Sequence, residues 1–353
     1  MPEKVRALIV DDSAYMRVVL KDMLEADPCI SVIGTAKDGL EAIEKVKALE
    51  PDVVLLDIQM PRMDGVATLQ RIMKEAPTRV IMLSAMDKVD TQLPLKALEM
   101  GAVDFISKPS GPVSIEIVNF ADSIIEVVKG VANARVEVLK KARAPLPDKL
   151  PCFQKDKLMG TKVIVLAAST GGPRALEVVF AALPRELPAF IFVVQHIPQD
   201  FSASFAKRLD DAKGPRVIMA SDGLRAEKGV AYLAPGGRHI RIGWKGATTL
   251  IMKLDDGAPV NFVRPSADIL FRSVADCMGA SVLGIILTGM GSDGAEGAKA
   301  IRAKGGRILV QSEQSSVAAS MPRAVIEAGA ADKIVSLDMI STEIIRFLEG
   351  KIG

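Results

Sequence analysis

The N-terminal third of the chain alternates between continuous apolar runs and segments of helical periodicity. "VRALIV" (5–10), "SVIGTA" (31–36), "DVVLLD" (52–57), "RVIMLS" (79–84) and "AVDFIS" (102–107) are short and apolar. Amphipathic segments follow each of them, at 13–26, 38–49, 64–75, 89–100 and from 113 to about 129. Strands that read as unbroken apolar runs are those covered on both faces, as in parallel sheets. Five successive β–α units predict a doubly wound, five-stranded parallel sheet of flavodoxin-like type over residues 1–128.

The rhythm stops over residues 129–160. Pro145, Pro147 and Pro151 cluster there, large apolar residues are few after Leu139, and basic residues outnumber acidic ones. This predicts a linker, helical in its first half. With Phe153 its single aromatic, its charge reads as solvated surface and not as a nucleic-acid site. From Thr161 the alternation resumes. "KVIVLAAS", "PAFIFVVQH", "SVLGIILTG" and "RILVQS" are strand-like, and helical patterns such as "RALEVVFAAL" and "SADILFRSVADCMG" lie between them. Glycine-rich turns between about 216 and 261 predict short antiparallel strands or hairpins. Residues 161–353 therefore read as a second α/β domain with a mainly parallel sheet and a small antiparallel hairpin region.

Composition narrows the class. Hydrophobic residues are 49% of 353, charged residues 25%, and the net charge is +2. That is the balance of a soluble two-domain protein with no bulk charge to attract nucleic acid. The first apolar run ends at Asp11, unlike a signal peptide, and no run reaches the ~18 residues of a membrane helix, so no membrane insertion is expected. Cys29, Cys152 and Cys277 are widely spaced and read as reduced thiols of a cytoplasmic protein. The two histidines are His196 and His239, so any histidine-based catalyst must use one of them.

Candidate chemistry gathers at predicted strand ends. Asp11 and Asp12 end the first strand, Asp57 the third and Ser84 the fourth, and Lys108 follows the fifth. In an open parallel sheet the carboxyl ends of the strands line the binding crevice. Three carboxylates meeting there repel one another unless a cation joins them, and hard oxygen donors suit Mg²⁺. A hydroxyl and an ammonium at the same edge complement a phosphoryl group. Helix capping is the plain alternative for any one of these residues, but five of them at four strand ends outweigh it.

In the second domain, "VIVLAASTGGPRAL" ends a strand at Ser169. Gly171 and Gly172 permit a tight turn, and Pro173 suits a first helical turn. "VVQH" ends at His196, and "ILTGMGSDG" brings Asp293 to the end of another strand. Serine, histidine and aspartate at one sheet edge have the composition of a hydrolytic triad. A lone serine before Gly-Gly is ordinarily a cap or turn residue. His239, opening a hairpin strand after "APGGR", is a rival base. Asp222, Asp255 and Asp256 are rival acids, in turn-rich segments where solvated aspartates are expected.

"VDDS" (10–13), "LLDIQMPRMDG" (55–65), "MLSA" (82–85) and "FISKP" (105–109) resemble the receiver domain of bacterial response regulators. The resemblance implies that Asp57 accepts a phosphoryl group from a histidine kinase. It also implies that Asp11, Asp12 and Asp57 hold Mg²⁺, that Ser84 and Lys108 contact the phosphoryl oxygens, and that Phe105 is a switch aromatic. "AASTGGPRAL", "VVQHIP", "AYLAPGGRH", "RPSADILFRSVA", "ILTGMGSDGAEG" and "SMPRAVIEAG" resemble the catalytic domain of chemotaxis-type protein-glutamate methylesterases, from about Val163 to Phe347. This implies Ser169 as nucleophile, His196 as general base, Asp293 as its orienter and the Met290 backbone N–H as an oxyanion donor. The implied substrates are glutamate methyl esters of methyl-accepting chemoreceptors, with methanol released and no metal in the esterase step. Glutamine deamidation by the same chemistry, relief of receiver inhibition on phosphorylation, and a cytoplasmic monomer are implied as well. Two positions depart from the family pattern: Ala167 and Ser320 stand where the family usually has glycine. The alternatives are a binding module on the same fold and a generic esterase. DNA binding is disfavoured, because no basic recognition helix follows the linker.

Overall fold

A computed structural model describes residues 4–84, 92–108, 115–132 and 161–351. The chain divides into two units, Met1–Lys140 and Lys141–Gly353. The predicted linker lies outside the described residues from 133 onward, whereas 129–132 continue a helix.

In the first unit, strands β1 (Val5–Val10), β2 (Ile30–Ala36), β3 (Val53–Asp57), β4 (Arg79–Ser84) and β5 (Asp104–Ser107) form one sheet in the order β2-β1-β3-β4-β5. All pairings are parallel. Helices α1 (Ala14–Glu25), α2 (Gly39–Leu49), α3 (Gly65–Glu75) and α4 (Gln92–Met100) connect them, and α5 (Ile115–Ala132) follows. Ala7–Val10 and Val53–Leu56 are fully buried, which is why those runs show no polar alternation. The strand order reverses beside β1, opening a crevice at the carboxyl ends. The register pairs Val10 with Leu56, Asp57 with Leu83 and Ser84 with Ser107. Asp11, Asp57, Ser84 and Lys108 therefore share one edge. The helix caps are other residues: Ser13, Asp38 and Asp64 accept first-turn N–H groups of α1, α2 and α3. Capping thus leaves Asp57 unexplained.

The second unit contains β6 (Lys162–Ala168), β7 (Ala189–Gln195), β8 (Arg216–Met219), β9 (Val230–Leu233), β10 (His239–Lys245), β11 (Thr249–Asp255), β12 (Val282–Ile286), β13 (Arg307–Gln311) and β14 (Lys333–Val335). Seven strands form a parallel sheet in the order β14-β13-β12-β6-β7-β9-β8, and β10–β11 is a separate antiparallel hairpin. Of the region expected as hairpins, only β10–β11 is one, whereas β8 and β9 extend the main sheet in parallel. The cause is the glycine-rich connection between them, which pairs with β11 through Ala226 N–H to Leu250 O (2.8 Å) and Met252 N–H to Leu224 O (2.9 Å). That detour returns the chain in its original direction.

Helices α6 (Gly172–Ala181), α7 (Gln199–Asp211), α8 (Ala267–Met278), α9 (Ala295–Ala303), α10 (Ser320–Glu327) and α11 (Leu337–Leu348) cover the sheet. The hairpin is fastened to α8, where Ser273 Oγ accepts the Ile242 N–H at 3.0 Å. Strand order reverses at β6, with β7 on one side and β12 on the other. The carboxyl end of β6 is therefore the switch point, where α/β sheets place ligands. No helix among the described residues is long and apolar enough to cross a membrane.

Candidate active site

Ser169 leaves β6 between the ends of β12 and β7. Its N–H donates to Thr288 O (3.0 Å), and its carbonyl accepts from Gly172 N–H (2.7 Å). The N-cap of α6 is Gly171, at φ 73° and with no side-chain cap. A side chain at Gly171 would meet Val317 Cβ at 2.6 Å in a left-handed conformation, so the turn requires glycine. Ser169 is partly exposed, and its hydroxyl makes no hydrogen bond among the described residues. It is neither cap nor turn lock, which leaves it available to a ligand.

His196 follows β7 directly, its N–H donating to Ala168 O at 3.1 Å. Its Nε2 lies 2.9 Å from Asp293 Oδ2. Asp293 is 2% exposed and accepts four further hydrogen bonds, from Ser266 Oγ (2.6 Å), Ala267 N–H (2.6 Å), Asp268 N–H (3.2 Å) and Asn261 Nδ2 (3.2 Å). The N-cap of α8, Ser266, does not cap its own helix; the Asp293 carboxylate takes those first-turn donors instead, where a helix favours an anion. Burial pushes the Asp293 carboxyl up, but the His196, Ser266 and Ala267 hydrogen bonds outweigh it and hold the group below the usual carboxylate range. An ionised carboxylate only accepts, so His196 Nε2 carries its proton and Nδ1 presents the basic lone pair.

The rivals have other work. His239 is fully buried, accepting Ser266 N–H at Nδ1 (3.1 Å) with Nε2 3.0 Å from Ala258 O. Both ring nitrogens are used, so it supports the loop before α8. Asp255 and Asp256 pair with Arg241 and Arg238, and Asp222 accepts Leu254 N–H at 2.8 Å. All three serve the hairpin and its flanks.

Several residues of the site escaped the sequence reading. Gln195, buried at the end of β7, donates through Nε2 to both Ser169 O (2.9 Å) and His196 O (3.0 Å). It clamps the backbones of two candidate catalytic residues, and its signal was an amide closing an apolar strand. Ser266, inside the "RPSADILFRSVA" stretch but given no role by it, and Asn261, which carries no local sequence mark, orient Asp293 from a segment distant in the chain. Thr288 Oγ1 accepts Val317 N–H (3.1 Å) and Ala318 N–H (3.0 Å), and lies 3.0 Å from Thr170 O. Gly289 is wedged so tightly that a Cβ would sit 2.3 Å from Met321 Sδ and 2.9 Å from Ser169 Cβ. Ser320 Oγ donates to Gly289 O at 3.2 Å, so this departure from the family pattern adds a tie to the turn. Met290, next in sequence, is partly exposed and its N–H has no partner among the described residues. The Ala167 methyl is fully buried in the β6 core.

In the first unit, Lys108 Nζ bridges Asp11 Oδ2 (2.7 Å) and Asp57 Oδ2 (2.8 Å). Carboxylate oxygens of Asp11, Asp12 and Asp57 lie within 4.8 Å of one another. Asp11 and Asp57 are buried and Asp12 is exposed. Burial pushes the Asp57 carboxyl up against the lowering influence of Lys108, and the Asp11 charge adds to the rise. One ammonium leaves this cluster short of positive charge, and all-oxygen donors with a solvent-facing side fit Mg²⁺. Ser84 is buried beside them, with its carbonyl accepting Lys108 N–H at 2.7 Å. Phe105 is buried in β5. Pro109 of the "FISKP" motif lies outside the described residues.

A family model described as CheB methylesterase matches residues 164–344, and one described as response regulator receiver domain matches residues 7–118. A protein-glutamate methylesterase/protein-glutamine glutaminase of Halalkalibacterium halodurans is 41% identical over 98% of this chain and 99% of its own length. A protein of the same name from Pyrococcus abyssi is 42% identical over 98% of this chain and 94% of its own. The crystal structure of the Thermotoga maritima CheB methylesterase catalytic domain covers 53% of this chain and 99% of its own, at TM-score 0.52 and 35% identity.

Proposed function

This chain belongs to the CheB methylesterase family, joined to a response-regulator receiver, and from that premise we propose that Ser169, His196 and Asp293 carry out its hydrolysis. The protein is a phosphorylation-regulated protein-glutamate methylesterase, a serine hydrolase of the chemotaxis type. The observation that carries the residue assignment is the 2.9 Å contact between His196 and a buried, five-fold hydrogen-bonded Asp293, with Ser169 at the end of the neighbouring strand β6, to which the His196 backbone bonds through Ala168 O.

As Ser169 Oγ attacks the γ-carbonyl carbon of a glutamate methyl ester, His196 Nδ1 takes its proton. Asp293 holds the ring and stabilises the imidazolium. The Met290 N–H stabilises the developing oxyanion. His196 returns the proton to the leaving oxygen, methanol departs, and water activated by His196 releases the glutamate carboxylate. A glutamine side chain follows the same course with ammonia leaving.

The receiver spans 1–128, the linker 129–160 and the catalytic domain 161–353. A histidine kinase supplies the phosphoryl group, and methyl-accepting chemoreceptors supply the ester, in the cytoplasm and to a monomeric enzyme. Asp57 is the acceptor. Asp11, Asp12 and Asp57 would hold Mg²⁺, which supplies counter-charge for phosphoryl oxygens when bound. Lys108 and Ser84 contact those oxygens, and Phe105 couples the change to the receiver surface. Phosphorylation shifts the population toward an uninhibited esterase.

Methanol release from methylated receptor membranes, with and without a small phosphodonor such as acetyl phosphate, tests this reading. Release that rises with the phosphodonor is expected, and its absence in both conditions would overturn the function. Asp57→Asn is expected to abolish Mg²⁺-dependent labelling by the phosphodonor, together with the stimulation. Undiminished labelling would move the acceptor elsewhere.

A further inference from the structure

Between β11 and α8 the chain makes a two-residue turn. Val260 and Val263 exchange backbone hydrogen bonds at 3.1 and 3.0 Å. The central residues, Asn261 and Phe262, have φ of 52° and 63°. Two left-handed residues mark a type I′ turn, whose central positions favour asparagine and glycine. Asn261 suits it. A bulky aromatic in that conformation is an outlier, and strain of this kind persists where a site uses it.

Phe262 is also 97% exposed, against 62% for Tyr15, the next most exposed large hydrophobic residue among those described. The ring therefore contributes no packing to offset its strained backbone. Its mount, by contrast, is fixed. Asn261 Nδ2 donates to Asp268 Oδ2 (2.9 Å) and Asp293 Oδ1 (3.2 Å). Arg264 Nη1 donates to Asp256 O and Gly257 O, each at 2.9 Å, and His239 holds Ala258 O. The phenyl ring stands one residue from a direct ligand of the candidate triad acid, on a turn pinned at several points.

We propose that Phe262 is a specificity-determining docking residue, an aromatic anchor that engages the apolar face of the methylated receptor segment presented to Ser169. The proposal rests on the methylesterase reading above. A substrate that is itself a protein must lay its flanking surface on the rim of the site to bring one ester to the serine. An exposed aromatic on a pinned turn gains from such a contact, because its backbone is already ordered and only two side-chain torsions remain to be frozen.

The test uses full-length enzyme activated by a phosphodonor, with Phe262→Gly and Phe262→Tyr, on methylated receptor membranes and on p-nitrophenyl acetate. Glycine removes the ring and accepts the left-handed turn, which offsets its greater freedom in the unfolded chain, so Phe262→Gly is expected to keep the wild-type Tm. The ratio of receptor to small-ester kcat/KM is expected to fall about thirtyfold, carried by KM for the receptor, the lower bound of a binding hot spot. Phe262→Tyr is expected to restore it. A wild-type ratio in Phe262→Gly overturns the proposal, as does a lowered Tm with proportional losses on both substrates, which would make the ring structural. An intact ratio with altered phosphodonor stimulation also overturns it, assigning the ring to this chain's own receiver. Wild-type enzyme that releases no methanol from receptor membranes removes the underlying methylesterase reading, a failure distinguishable from all of these.

Discussion

Ser169→Ala is expected to lower methanol release from methylated receptor membranes by about 10⁶-fold, the scale seen when a serine-hydrolase nucleophile is removed. Alanine fits the site: the Ser169 backbone bonds to Thr288 and Gly172 stay, Gln195 still holds the carbonyl, and the hydroxyl makes no bond that folding would lose. The variant should match wild type in Tm while chemistry collapses. Labelling of Asp57 by a phosphodonor should continue, since that pocket is built from other strands. Adding His196→Ala should cost little more, because the members of a triad act as a unit. Methanol release within tenfold of wild type, measured by headspace gas chromatography, would remove Ser169 as nucleophile.

Asp293→Asn is expected to reduce kcat by about 10⁴-fold, as when a triad carboxylate becomes an amide and favours the wrong imidazole tautomer. A second cost falls on stability. Five donors converge on Asp293, from His196, Ser266, Ala267, Asp268 and Asn261. An amide turns an NH₂ group toward some of them and leaves buried donors unsatisfied, each costing about 1–3 kcal/mol. The sign of the pH dependence follows from the lowered Asp293 pKa. A carboxyl depressed by folding contributes stability that is present above its unfolded pKa and lost as pH falls through the folded one. The stability gap between wild type and variant, measured by urea unfolding, should therefore be widest at neutral pH and narrow in the acid range. A gap independent of pH would mean that Asp293 carries no charge-dependent load in the fold.

Much of this architecture was legible in the residue pattern. Buried parallel strands such as 5–10 and 53–57 have no solvent face, so apolar continuity alone marks them. The punctuation at their ends, Asp11, Asp57, Ser169 and His196, follows because a sheet's carboxyl edge opens on a crevice where polar side chains find polar partners, even when buried as Asp11 and Asp57 are. The stretch from 216 to 261 forms the expected hairpin in β10–β11 but not in β8 and β9, for a related reason. Its glycines signal turns, but a turn in sequence does not reveal whether the next strand pairs with its predecessor or crosses over. The pairing of residues 222–226 with β11 decided that, and it is a contact between segments far apart in the chain.

What the sequence determined by itself was the repeating β–α rhythm, two α/β domains and the few side chains able to do chemistry at strand ends. These are local properties, set by periodicity and by the residue types at each break. Tertiary structure alone decided which partners those side chains have. Asp293 is ordered by a helix N-terminus and by a loop some thirty residues upstream. Ser169 and His196 are clamped by an amide, Gln195, whose role depends on the register of β6 against β7. Phe262 gains its meaning only from where Asn261 is tied. Hydrogen bonds between distant segments carry no period along the chain, so only folding brings them into view.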